Sequence, residues 1–140
     1  MISREFDISH IDLMSLKINY PCINTLKNEV YPYREIGERA QTYIFDGRII
    51  FACGMKLDRQ GVGRCWVIPT IYVDKHKIAM VKTIKKLLED SAREMELHRV
   101  HTTIVTSFVK WIELMGFTRE ATLKQISHDK SDEYLYVRFF

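Results

Sequence analysis

The sequence predicts one α/β (α+β) domain over residues 1–140, with helices on both faces of a mixed sheet and a bulged central strand. The first observation is a run of three strand-like segments separated by turns, between residues 41 and 73. A long amphipathic helix follows at 74–95 and leads into a buried strand, which implies a right-handed crossover between two parallel strands. A shorter helix and two further strands close the chain, and 140 residues suit a single core.

Composition narrows the class of protein. With 46% hydrophobic and 28% charged residues the chain is a normal globular sequence. A net charge of +3 gives no reason to expect a specific nucleic-acid partner. The cysteines Cys22, Cys53 and Cys65 form no close pair in the sequence, so we expect neither a disulfide framework nor a metal site. Unpaired cysteines suit a reducing compartment, and we therefore expect a cytoplasmic location. We expect no signal peptide, and we expect no membrane partner because no apolar run is long enough to span a bilayer.

The N-terminal part predicts a strand at 2–6 and then a helix. Asp7 or Ser9 can cap that helix, because a short polar side chain accepts a hydrogen bond from a first-turn N–H group. The helix must end near Tyr20 and Pro21, since the residue before proline is pushed out of the α region. A second helix over 23–30 and a turn at 31–32 are plausible, and residues 22–40 stay ambiguous.

Turn signals define the strands that follow. Asp46-Gly47 between apolar runs predicts a two-residue hairpin, because a type I′ turn needs positive φ at both positions. A second turn is predicted at 61–63, and a strand at 64–73. Pro69 interrupts that strand and cannot donate to a ladder, so we expect a bulge there.

The clearest helix begins after Asp74, which is a good N-cap. Apolar residues recur at helical spacing from Ile78 to Met95, and charged residues take the other face. A buried strand is predicted at 99–105, and then a short helix capped by Ser107 and stopped by Gly116. Strands at 118–126 and 133–139 complete the order β-α-(α)-β-β-β-α-β-α-β-β.

That order resembles the GNAT superfamily of acyl-CoA-dependent N-acyltransferases. Three passages carry the resemblance locally: IYVD at 71–74, SAREMELHRV at 91–100, and WIELMGFTRE at 111–120. They look like the end of the family's fourth strand, its passage from third helix to fifth strand, and its Gly-Phe ending. Small GNAT-like proteins encoded by tailed bacteriophages are also similar. Pro69 matches the bulged fourth strand that, in the family, splays from the fifth.

The resemblance implies acetyl-CoA as cofactor and an amine as acceptor. In the family the pyrophosphate lies on a glycine-rich turn at a helix start, where free N–H groups and the helix dipole favour an anion. The matching turn here is 76–81, which departs from the pattern because Val81 is bulky and Asp74 carries a negative charge nearby. The implied cofactor-binding residues are Ile71, Tyr72, Val73, His76, Lys77, Ala79 and Val81.

No residue is an obvious donor or acceptor for the proton transfers that the reaction needs. Many family members have a tyrosine four residues before the Gly-Phe pair, where this chain has Ile112. Tyr134 and Tyr136 could replace it if the fold brings them close, and Glu35 is the third catalytic candidate. The other candidate bases are His10, His98 and His101, for each of which a surface or core role is favoured. The acceptor side would be lined by the stretch 29–39.

One further stretch has a composition suited to phosphate binding and lies outside the residues that the resemblance implies. Residues 59–64, RQGVGR, combine arginines and glycines. They lie between two predicted antiparallel strands, so no helix N-terminus supports them, and the sequence favours a plain hairpin loop.

Two functions are compatible with these observations. The first is an acetyl-CoA-dependent N-acyltransferase that acts on an amine of a small molecule or a protein. The second is a catalytically lapsed GNAT fold that serves as a binding or assembly module, located in a host cytoplasm or a virion if phage-encoded. The altered turn and the missing tyrosine favour the second, whereas the element order fits both. A homodimer or another protein partner is open in either case.

Overall fold

The structure is a computed structural model that describes residues 1–14 and 39–140. Its strands are β1 (Ile2–Glu5), β2 (Arg39–Phe45), β3 (Arg48–Arg59), β4 (Val62–Pro69), β5 (Arg99–Ile104), β6 (Thr118–Leu123) and β7 (Glu133–Phe139). The α-helices are α1 (Lys77–Glu94) and α2 (Val109–Leu114), and 3₁₀ helices cover Ile8–Leu13, Ile71–Lys75 and Thr106–Phe108.

Hydrogen bonds join the seven strands in the order β1-β2-β3-β4-β5-β7-β6. The pairs β1–β2, β2–β3, β5–β7 and β6–β7 are antiparallel, whereas β4 and β5 are parallel. The parallel ladder comprises three residue pairs, from Val62 with Arg99 to Arg64 with His101. The predicted mixed sheet and its parallel pair around the long helix are therefore confirmed.

The described chain forms two compact units, while one domain over residues 1–140 stays a prediction. The first unit comprises Met1–Leu57 and Cys65–Met80, and the second comprises Asp58–Arg64 and Val81–Phe140. The core of the first unit is apolar and has two partly buried residues packed against it. Its members are Phe6, Ile11, Ala40, Ala52 and Ile68, with Met14 and Trp66 against them.

The two hairpin turns are both set by glycine. Asp46 and Gly47 have φ of 50° and 68°, as the predicted type I′ turn requires. The second turn was predicted too late in the chain, because β3 ends at Arg59 and β4 begins at Val62. Its two residues are Gln60 and Gly61, and Gly61 takes the positive φ of 78°.

The end of β4 differs from the prediction of a strand over 64–73 bulged at Pro69. Pro69 is the last residue of β4, and the chain turns into the 3₁₀ helix Ile71–Lys75. Thr70 causes the turn, because its buried hydroxyl lies 2.9 and 2.8 Å from the carbonyl oxygens of Ile49 and Ile50. The same oxygen accepts a hydrogen bond from the Tyr72 N–H group. These tertiary bonds override the β-branched sequence, whose propensity favours a strand.

Helix α1 begins two residues later than predicted, because a cap at Asp74 would make Lys75 its first residue and the helix begins at Lys77. Asp74 belongs to the 3₁₀ helix, and His76 precedes the first helical residue, Lys77. The predicted apolar face is wrong at its start, because Ile78 is 75% exposed while Met80 is fully buried. Further along, Ile84, Leu88 and Ala92 are buried as the spacing predicts.

Helix α2 has the predicted end and a different start. Gly116 stops it with a φ of 88°, a conformation that glycine adopts without steric cost. Ser107 does not cap it, because the 3₁₀ helix Thr106–Phe108 comes first, with Val105 at its N-cap. The strands that follow match the prediction, although β6 ends at Leu123.

At the N-terminus the predicted cap at Asp7 is confirmed. Its carboxylate accepts the Ser9 N–H group at 2.9 Å, and the helix it starts is a 3₁₀ helix. The predictions for Cys22, for Glu35, for the helix over 23–30 and for the turn at 31–32 lie outside the described residues. Within the described ranges, no helix combines the length and the apolar character needed to cross a bilayer.

Candidate functional site

In the first unit, the candidate cofactor residues Ile71, Tyr72 and Val73 lie in the 3₁₀ helix that follows β4. Ile71 is 54% exposed and Val73 is fully buried. Tyr72 is half-buried, with the Arg48 guanidinium carbon 5.0 Å from its ring centroid. The Val73 carbonyl accepts the His76 N–H group at 2.9 Å, which ties the 3₁₀ helix to the start of α1. Val73 therefore anchors this segment, while Ile71 and Tyr72 present surface.

The start of α1 places two basic side chains beside free backbone donors. The first bond of the helix runs from the Met80 N–H group to the His76 carbonyl, at 2.9 Å. The N–H groups of the three preceding residues have no partner within the helix, as in any helix start. The His76 ring lies 4.8 Å from that of Phe45, and Lys77 pairs with Asp74 at 3.3 Å. Lys77 thus offsets the negative charge that would repel an anion.

The substitutions in the glycine-rich turn matter less than the motif suggests. The free N–H groups belong to residues 77–79, and Ala79 is exposed. Val81 lies in the second turn and is half-buried, so its bulk is past these donors. The residues present therefore fit a phosphate group at this helix start.

In the second unit, Tyr136 is at the centre of a hydrogen-bonded network. Its side chain is fully buried, and its hydroxyl donates to Glu113 Oε1 at 3.0 Å. The hydroxyl oxygen of Tyr136 also accepts a hydrogen bond from Arg119 Nε at 3.3 Å. Both of its hydrogen-bonding roles are thus used inside the protein, as a buried tyrosine requires.

Tyr134 is the more accessible of the two candidate tyrosines. It is half-buried, and the Arg119 guanidinium lies 3.8 Å above its ring. In the ladder between β5 and β7 it is opposite Ile104, the last residue of β5. A cation over an aromatic face is held by the ring quadrupole, so Arg119 fixes the ring in place.

The candidate histidines have structural contacts. His10 Nδ1 accepts the Asp7 N–H group at 3.2 Å and lies 2.9 Å from the Thr42 hydroxyl. His101 Nε2 lies 3.1 Å from Asp58 Oδ2. Burial lowers the pKa of His101 below 6.5, although Asp58 opposes the shift. Burial thus favours the neutral ring of His101, whose Nε2 lies within hydrogen-bond distance of the carboxylate.

Sequence reasoning missed the partners of these residues. Glu113, Arg119 and Asp58 lie in segments with no catalytic motif, and each reaches its partner only through strand pairing or helix packing. The only local signal of this network was Glu113, which lies shortly before the Gly-Phe pair. The sequence does not distinguish a surface glutamate from one hydrogen-bonded to a tyrosine.

The sheet order and the helices are those of a GNAT-type fold, as solved structures show. The chain is similar to the ribosomal-protein-alanine N-acetyltransferase of Brucella melitensis, at 13% identity and a TM-score of 0.72, covering 100% of both chains. An acetyltransferase (GNAT family) of Bacillus anthracis matches at 17% identity and a TM-score of 0.70, over 98% of this chain and 93% of that one.

A third similar structure is an F149A mutant of the spermidine N-acetyltransferase of Vibrio cholerae. It matches at 14% identity and a TM-score of 0.68, over 99% of this chain and 95% of that one. No family model and no curated protein matches the sequence. At these identities the likeness establishes the fold, and the resemblance noted in the sequence is confirmed at that level.

Proposed function

We propose that the chain is an acetyl-CoA-dependent N-acyltransferase that acts on an amine of a small molecule or a protein. The observation that carries the proposal is the likeness, over at least 98% of the chain, to structures named as acetyltransferases. Acetyl-CoA supplies a thioester, whose acyl group an unprotonated amine attacks. The protein's main task is then to hold the two reactants in line.

The start of α1 is the proposed pyrophosphate site. The N–H groups of residues 77–79 would donate to the phosphates, the His76 ring lies at the same helix start, and Lys77 offsets the charge of Asp74. Ala79 leaves the backbone open to approach, while Val81 supports the helix from its second turn. Ile71 and Tyr72 would contact other parts of the cofactor, and Val73 holds the 3₁₀ helix in position.

Tyr134 is the proposed proton donor for the leaving thiolate. Its hydroxyl makes no hydrogen bond to the residues that the structure describes, unlike that of Tyr136, and its ring is partly exposed. Tyr136 is proposed to position this part of β7 through Glu113 and Arg119. Glu35, in the stretch 29–39 assigned to the acceptor, is kept as the candidate base.

Cofactor binding is tested by thermal unfolding with and without acetyl-CoA. A ligand at a hundred times its Kd adds about 2.7 kcal/mol to the free energy of unfolding. For a chain of this size that corresponds to a rise in Tm of roughly 8 °C. The double variant His76→Glu/Lys77→Glu should abolish the rise, because it places two carboxylates at the phosphate site.

The matched control is Lys82→Glu/Lys85→Glu, which changes charge on the second and third turns of the same helix. It should retain most of the rise in Tm. No rise in wild-type protein at millimolar acetyl-CoA would overturn the enzyme proposal and leave the lapsed, binding module in its place. A rise that survives the His76 and Lys77 changes would refute the assigned site alone.

The proton donor is tested by acetyl-transfer assays that measure CoA release. Spermidine and a peptide with an N-terminal alanine are the first acceptors, because the similar structures are named for such substrates. Tyr134→Phe should lower kcat about a hundredfold at an unchanged KM, as expected for loss of a general acid. A loss in Tyr136→Phe but not in Tyr134→Phe would contradict the assignment.

The cellular setting belongs to the same proposal. A cytoplasmic location follows from the cysteine pattern, and exposed strand edges allow a homodimer. Size-exclusion chromatography with light scattering would report the oligomeric state directly.

A further inference from the structure

The β3–β4 turn and the start of β5 enclose a cavity separate from the residues assigned above. The cavity is open and has a volume of about 240 Å³. A water molecule occupies about 30 Å³ in the liquid, so a small charged group fits. All the lining residues belong to the second unit: Asp58, Arg59, Val62, Arg99 and His101.

The negative charges around the cavity are already paired. Asp58 Oδ2 lies 3.1 Å from Arg64 Nη2 and 3.1 Å from His101 Nε2. Glu120 binds the Arg99 guanidinium through both oxygens, at 2.6 and 2.7 Å. Among the residues that the structure describes, three arginines face two carboxylates here, so positive charge is in excess.

The excess charge is on Arg59, and donors are left over on Arg99. Arg59 is exposed and makes no ion pair with any residue in the described ranges. Glu120 uses two of the five N–H donors of Arg99, which leaves three. Planar guanidinium donors match the oxygens of carboxylate and phosphate groups.

The backbone keeps these two arginines together. The Gly61 carbonyl accepts the N–H groups of His98, at 2.9 Å, and Arg99, at 3.2 Å. The turn that follows Arg59 is thereby fixed to the strand that carries Arg99. Little ordering of the backbone is needed when a ligand binds, which favours affinity.

We propose that this cavity is a binding site for an oxyanion, a carboxylate or phosphate group of a small molecule, held by Arg59 and Arg99. The stretch RQGVGR contributes to it through strand pairing, although no helix N-terminus is present. Arg64 neutralises Asp58, which would otherwise repel the anion, and the His101 ring hydrogen-bonds to the same carboxylate. The site uses none of the proposed acetyl-CoA residues, so either proposal can fail alone.

The test is a titration of the ¹⁵N-labelled full chain with sodium phosphate and, separately, with sodium succinate, at constant ionic strength kept with sodium chloride. Amide and arginine side-chain resonances of Gly61, Arg59 and Arg99 should shift and saturate. Arg59→Gln should weaken binding about tenfold, since it removes a charge-assisted pair. The tighter of the two anions identifies the group that the site prefers.

Arg4→Gln is the matched control, because Arg4 is an exposed arginine on β1 in the first unit. It makes the same change in charge and should leave both titrations unaltered. Absence of saturable shifts at the cavity with both anions overturns the proposal, as does equal weakening in the two variants. Unchanged amide spectra of the free variants show that each is folded.

Discussion

Replacing Gly54 with alanine should lower the free energy of unfolding by about 2 kcal/mol. Gly54 lies in the middle of β3, where an added Cβ would come within 2.5–2.7 Å of three atoms of the Trp66 indole. Alanine gains about 0.5–1 kcal/mol over glycine in a strand, whereas overpacking costs about 1–3 kcal/mol or more. The cost of the overlap exceeds the gain from alanine, because the indole packs edge-on against buried Phe6, with the ring centroids 5.2 Å apart.

The measurement is thermal unfolding followed by circular dichroism, and the expected fall in Tm is roughly 6 °C. A double-mutant cycle with Trp66→Leu isolates the contact. In that background the alanine should be neutral or slightly stabilising, since the indole is gone. Equal losses in both backgrounds would mean that the glycine is needed for a reason other than Trp66.

The local signals that predicted the fold are those that need no distant partner. Asp46-Gly47 gave the right hairpin because two positive φ angles are a property of the turn itself. Gly116 ended α2 for the same reason. The spacing of apolar residues located α1 because an 18-residue helix averages over errors at its ends.

The sequence predictions were wrong where contacts between residues distant in sequence determine the local structure. Ile71 and Val73 are β-branched and read as strand, yet the Thr70 hydroxyl bonds to β3 and turns the chain. That bond joins residues about twenty apart in sequence, which no local pattern reports. The start of α1 moved with it, and the bulky residue of the phosphate turn moved past the free donors.

The candidate site divides in the same way. The basic helix start could be predicted because its donors come from consecutive residues. The hydroxyl network of Tyr136 could not, since Glu113 and Arg119 reach it from α2 and β6. For the stretch 59–64 the sequence favours a plain hairpin loop. The cavity beside it could not be predicted, because its second arginine, Arg99, comes from β5.

Replacing Gly61 with alanine should also be strongly destabilising, by about 2–3 kcal/mol, for two separable reasons. Gly61 has a φ of 78°, where a Cβ costs about 1–2 kcal/mol. Its added Cβ would also overlap Cε1 and Nδ1 of the His98 ring. His98 is exposed and can rotate away in part, which keeps the second cost near 1 kcal/mol.

Gly47→Ala is the matched comparison for this variant. Gly47 also occupies the second position of a two-residue hairpin turn, with a φ of 68°, and no atom lies within 4 Å of an added Cβ. It therefore measures the backbone cost alone, about 1–2 kcal/mol. Combining Gly61→Ala with His98→Ala should reduce the loss to the Gly47→Ala value. If the two single glycine variants unfold at the same urea concentration, the ring contact contributes nothing, and the turn is held by its backbone alone.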